Sequence, residues 1–83
     1  WVPVGSVRQA VPLVIETRNV LEVGESIEYL GRNLQTIRCT VDRITLEDGG
    51  ETERVNPGSR VIINTEPVIF EPELNCILRK KVV

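Results

Sequence analysis

Between Gln35 and Leu46 the apolar side chains change phase. Ile37, Cys39 and Val41 stand at odd positions, whereas Ile44 and Leu46 stand at even ones. Successive residues of a β-strand face opposite sides, so one unbroken strand cannot bury both sets. One extra residue near Asp42-Arg43 reconciles them, as a β-bulge that bends the strand sharply. Bends of this kind let a small sheet curl closed on itself.

The rest of the chain carries the same period-two pattern, with β-branched residues at most inward positions. Val2, Val4 and Val7 begin a first strand, with Gly5 as a point of bending. Leu13, Ile15 and Thr17 form the inward set of a second, and Asn19 to Gly24 is a connection. In the third strand Ile27 and Tyr29 face inward while Ser26 and Glu28 face water. Gly31-Arg32-Asn33 is a turn cluster, and Glu47-Asp48-Gly49-Gly50 is an acidic-Gly hairpin turn after the long fourth strand. Glu51 to Val55 reads as a polar, exposed fifth strand, and Arg60 to Thr65 as a sixth after the Asn56-Pro57-Gly58 turn. Pro67 and Pro72 break the region that follows. There Glu73 to Leu78 fits one helical turn, and Cys76-Ile77-Leu78 equally fits the start of a short strand. In either case Phe70, Leu74, Ile77 and Leu78 are expected to plug one open end.

Six short strands joined by Gly, Asn, Asp and Pro turns define an all-β fold, a small six-stranded antiparallel β-barrel. The 83 residues allow one domain, spanning 1–83. Its expected core is Ile15, Ile27, Tyr29, Ile37, Cys39, Val41, Val61 and Ile63.

Composition mostly excludes functions. No apolar run approaches the roughly 20 residues of a membrane helix, and no partner membrane is expected. The net charge of −2 gives no global attraction to nucleic acid. The chain has no His, the commonest general base, and only two well-separated cysteines, Cys39 and Cys76. These do not form a zinc spacing and read as reduced core thiols of a cytoplasmic protein. With no Met in it, the chain is expected to be an excised piece of something longer.

Val20 to Gly31 resembles a segment of the second-domain barrel of translational GTPases. A wider window is more specific. Val4-Gly5-Ser6-Val7, the run Leu13 to Asn19, Val23-Gly24-Glu25 and the hairpin from Leu46 to Gly50 resemble the C-terminal domain of peptidase family U32. Leu21 stands where that family usually has Phe. The resemblance implies a β-barrel accessory to a catalytic domain of the same full-length chain. Members are often called collagenase-like proteases, and some are linked to hydroxylation of tRNA or ribosomal RNA bases. It implies no catalytic residue, cofactor or metal on this chain, and a substrate, peptide or RNA, held with the module's help. A stand-alone translation-factor-like barrel that binds RNA or protein is the alternative.

The candidate partner contacts are Arg18, Asn19, Arg79, Lys80 and Lys81. Arg18-Asn19 is the most specific piece of the motif, and it fits equally a strand end that satisfies loop carbonyls of the Val20 to Gly24 turn. Arg79-Lys80-Lys81 is the only basic run. It suits an RNA backbone or a neighbouring domain, although short basic ends are usually just solvated. Glu47, Asp48, Glu51 and Glu53 cluster around the Gly-Gly turn without the offsets of a calcium loop, so they read as acidic surface.

Overall fold

The computed structural model describes residues 1–32 and 35–81. Among these residues there is no helix, and nine strands follow in order: β1 (Val2–Gln9), β2 (Val14–Thr17), β3 (Leu21–Glu22), β4 (Ser26–Leu30), β5 (Thr36–Leu46), β6 (Glu51–Thr52), β7 (Arg54–Val55), β8 (Arg60–Glu66) and β9 (Ile77–Lys80). The order β4-β9-β1-β2-β8-β5 closes through a β4–β5 pairing. The result is a closed antiparallel barrel of six strands.

The bulge lies where the phase change requires it. Val41 pairs with Thr65 and Arg43 with Asn64, leaving Asp42 as the extra residue. Val41 and Ile44, three residues apart, are thereby both fully buried. β5 can then pair with β4 through Thr36–Thr40 and with β8 through Thr40–Leu46, turning the corner of the barrel.

The six strands of the ring differ in one member from those expected. Glu51 to Val55 is not a staple of the barrel. It splits at Glu53 into β6, which pairs antiparallel with Ile44-Thr45 of β5, and β7, which pairs with β3 in a small separate sheet. Only Val55 in this stretch is buried, and it sits opposite the buried Leu21. A segment with so little apolar surface has nothing to hold it in the ring. Its place is taken by β9, whose Leu78 is fully buried between Gly5 of β1 and Tyr29 of β4.

Of the expected core, Ile15, Ile27, Tyr29, Cys39, Val41, Val61 and Ile63 are buried, while Ile37 is half-buried at its edge. The C-terminal plug is different from the one expected. Leu78 is buried, but Phe70, Leu74 and Ile77 are exposed, and Ile69 and Cys76 are buried in their place. Before β9 the chain makes a turn, closed by Cys76 N–H donating to the Glu73 carbonyl at 3.3 Å, rather than a helix. The Gly31-Arg32 part of the expected turn is seen, with Gly31 N–H donating to Gln35 at 2.8 Å, whereas Asn33 is outside the described residues.

Two details fix the barrel's geometry. A Cβ on Gly5 would run into the Glu16 carbonyl and come within 3.3 Å of the Thr17 Cα, so β1 and β2 pack too closely there for any side chain. Thr17 is buried and lies within hydrogen-bond distance of the Asn56 (2.8 Å) and Ser59 (3.1 Å) carbonyls, while its hydroxyl accepts from Ser59 N–H at 3.0 Å. It thus ties the turn before β8 to the end of β2. Gly5→Ala is expected to cost about 1–3 kcal/mol through overpacking. Ile63→Ala, at a site 3% exposed, is expected to cost about 2–5 kcal/mol. Urea denaturation of both variants checks these values, and a neutral result for Ile63→Ala would contradict the assigned register.

Candidate functional site

On the outer face of the barrel, three adjacent strands place Arg38, Glu28 and Arg79 side by side. Glu28 of β4 is directly opposite Arg38 of β5 on one side and Arg79 of β9 on the other. Its carboxylate accepts from Arg38 Nη2 at 3.0 Å through Oε2, and from Arg79 Nε (3.0 Å) and Nη2 (2.9 Å) through Oε1. Glu28 was expected to face water. It points outward, but the two guanidiniums cover it, leaving its side chain 8% exposed. A carboxylate is tolerated at that burial because both its oxygens are paired. The hydrogen bonds from Arg38 first, and then Arg79, hold its pKa below the ordinary 4.5 against the opposing effect of burial.

The Arg79 guanidinium also lies over the Trp1 ring, 4.4 Å from its centroid. Trp1 is half exposed, and with Ser26, Glu28, Arg38 and Lys81 it lines a shallow cleft of about 390 Å³. Within the cleft Arg38 and Lys81 outnumber the single carboxylate of Glu28, and Arg79 stands beside them against Trp1. A local excess of positive charge beside an exposed indole thus sits on a chain of net charge −2.

The other candidates go elsewhere. Asn19 Nδ2 donates to the Pro3 carbonyl at 2.6 Å, pinning the start of β1 to the end of β2. The carbonyl it satisfies belongs to β1 and not to the Val20 to Gly24 turn. Arg18 N–H donates to Val4 at 2.7 Å, and its side chain is exposed with no ion pair among the described residues. Lys80 is not a solvated terminal charge. Its Nζ donates to the Val20 carbonyl (2.6 Å) and to both oxygens of Glu25 (3.2 and 3.0 Å). Glu25 in turn accepts from Glu22 N–H at 2.7 Å, and Gly24, at φ +94°, donates its N–H to Val41. Val23-Gly24-Glu25 therefore organises the turn between β3 and β4. The structure brings Arg79 and Lys81 together with Trp1, Glu28 and Arg38, and leaves Arg18 and Asn19 apart.

Both cysteines are buried and free, and burial pushes the Cys39 thiol pKa up, away from reactivity. Among the described residues no cluster of His, Cys, Asp or Glu forms a metal site. No helix among them is long and apolar enough to cross a membrane. A second concavity, of about 370 Å³, lies between the β1–β2 connection and residues 68–72 and is mostly apolar. Trp1, Arg38 and Glu28 escape a reading of the sequence because their proximity depends on the register of three strands. Only the odd-even placement of Glu28 and Arg38 on facing strands hints at it.

A closed antiparallel ring of six strands defines a small β-barrel module. The chain belongs to the peptidase family U32 C-terminal domain, whose model matches residues 3–79. Its fold is similar to the crystal structure of the C-terminal domain of a Geobacillus thermoleovorans protein assigned to the U32 peptidases. That comparison gives a TM-score of 0.80 at 21% identity, covering 95% of this chain and 91% of the other. The selenomethionine variant of the same domain gives a TM-score of 0.81 at 21% identity, covering 96% and 100%. No curated protein matches the chain.

The pairing of Glu28 predicts a pH dependence. Because its pKa is lower folded than unfolded, its contribution is complete above the ordinary 4.5 and is lost as pH falls through the folded value. Glu28→Gln is expected to destabilise the domain at about pH 6.5, and the gap from wild type to shrink at about pH 3. Urea melts at the two pH values measure it, and a gap independent of pH would refute the assignment.

Proposed function

We propose that this domain is a non-catalytic accessory module of a U32-type protein, and that its Trp1-Arg38-Lys81 face helps hold an RNA substrate for the catalytic domain of the same chain. The observation that carries the reading is the cation excess beside a half-exposed indole. An aromatic ring offers a base a stacking surface, and Arg and Lys beside it suit the phosphates that follow. Arg79 presents its guanidinium in a fixed orientation because Glu28 and Trp1 hold it from two sides. Fixed donors lose less entropy on binding than free ones. The net charge of −2 keeps any non-specific affinity low, so binding depends on this face. The peptidase name of the family keeps a peptide substrate as the competing outcome of the test.

The experiment uses the full-length protein carrying Arg38→Glu and Lys81→Glu, with RNA binding followed by fluorescence anisotropy across salt concentrations. The expected outcome is weaker binding and a salt slope shallower by about one to two. The rate at saturating substrate is expected to be unchanged while KM rises. Unchanged RNA affinity, or a loss confined to peptide binding, overturns the reading. A collapsed rate at saturating substrate with unchanged affinity would mean that the barrel completes the active site.

A further inference from the structure

The outer face that carries Arg38, Glu28 and Arg79 continues past them into apolar residues. Leu30 of β4 is opposite Ile77 of β9, and Pro3 of β1 is opposite Arg79. Ile77 and Arg79 are two residues apart on one strand, so all four side chains share that face. Ile77 is 44% exposed. With Trp1 and Val2 these residues line a cleft of about 210 Å³. Trp1 lines both this cleft and the charged one that holds Arg38 and Lys81. The two concavities therefore meet at one indole.

Size and charge together select the ligand. At about 210 Å³ the apolar cleft is smaller than the roughly 300–1,000 Å³ that encloses a drug-sized molecule. It suits one flat apolar group of something larger. The Arg79 guanidinium, held by Glu28 and Trp1, forms the charged part of its wall. In the neighbouring cleft Arg38 is 70% exposed. Among the described residues its side chain bonds Glu28 through Nη2 alone, and the exposed Lys81 is in no ion pair. Two cations are thus open to an anion beside a slot for a flat apolar group.

We infer that this face takes RNA as an open single strand, with one unpaired base packed between Trp1, Leu30 and Ile77 and its flanking phosphates on Arg38 and Lys81. The inference rests on the RNA reading above and adds to it the strandedness of the ligand and the seat of its base. In a duplex the bases are paired and stacked inside the helix, so phosphate and ribose alone reach a protein face of this kind. An unpaired base brings its flat surface and its charged backbone together. A planar guanidinium on the wall of the cleft favours a base over an aliphatic side chain, because every base has a π-face to stack on it. An acidic peptide with an apolar side chain is the competing occupant that the test separates.

The test uses the 83-residue chain, so that no other domain supplies a preference. Its labelled RNA probes are about ten nucleotides long: an unstructured single strand, the same strand in a duplex, and the same strand with abasic sugars. Fluorescence anisotropy gives their affinities across salt concentrations. The intact single strand is expected to bind about tenfold more tightly than either of the others. Ile77→Thr keeps a β-branched residue in β9 and is expected to weaken the intact single strand alone, by about threefold to fivefold. Its salt slope is expected to stay unchanged, because no cation is lost. Arg38→Glu with Lys81→Glu is expected to weaken every probe and to make the slope shallower. If that double variant weakens binding but single strand and duplex, or intact and abasic strands, bind equally, this inference falls while the RNA reading stands. An Ile77→Thr chain that binds the intact strand as the wild type does also overturns it. No binding of any RNA probe, or preference for a glutamate-rich peptide with a central Leu-Phe pair, overturns both.

Discussion

β9 enters the ring between β1 and β4, two strands that would otherwise each present an unpaired edge, and the Glu28 carboxylate fixes its register there. Leu78 supplies the apolar part of the contact and is fully buried. The polar part is more selective. A slip of one residue would exchange the inner and outer faces of β9. It would bring Arg79 into the core and take Leu78 out. Lys80, two residues on and so on the same face as Leu78, is tied at the strand's end to Glu25 and the Val20 carbonyl, so both charges of β9 are paired while Leu78 stays within. Closure removes the exposed edges that a small open sheet would otherwise offer to other chains.

These facts explain what could be read along the chain and what could not. β5 was legible because burial on one face leaves a strict period, and a break in that period has one economical cause, the bulge at Asp42. Ile15, Ile27 and Val61 were legible for the same reason. β9 was legible only as one of two alternatives, a short strand or a helical turn, since only one of its four residues is fully buried and two are charged. A strand whose stability comes from ion pairs across the sheet carries no hydrophobic period. Glu28 was misread for a related reason. Alternation correctly gives its direction, outward, but its burial comes from Arg38 and Arg79 on two neighbouring strands. Between Pro67 and Pro72 no regular period applies at all, which is how Phe70 and Ile69 exchange their expected roles.

The candidate partner contacts separate along a similar line. Asn19, Glu25 and Lys80 have their polar groups taken up by the chain's own carbonyls and carboxylates. Asn19 and Val23-Gly24-Glu25, which together with Arg18 most resemble the family, are among them or beside them. They hold the start of β1 and the turn before β4, where a lost partner would leave carbonyls or a charge unsatisfied.

That division bears on how a shared fold and a particular function coexist in one domain. Asn19, Gly24 and Glu25, among the residues that make the chain recognisable, lie where strands must be joined, and they are committed to joining them. Trp1 and Lys81, and separately Val11, Val68 and Phe70, are outside those joints, and among the described residues no hydrogen bond from their side chains closes the ring. The fold is shared at a TM-score of 0.80 with only 21% identity, so most side chains can differ while the barrel persists. Arg79 is the exception, because one guanidinium both closes the barrel through Glu28 and fixes the indole of Trp1. Through that residue, a change that loosened β9 would also disorder the surface beside it.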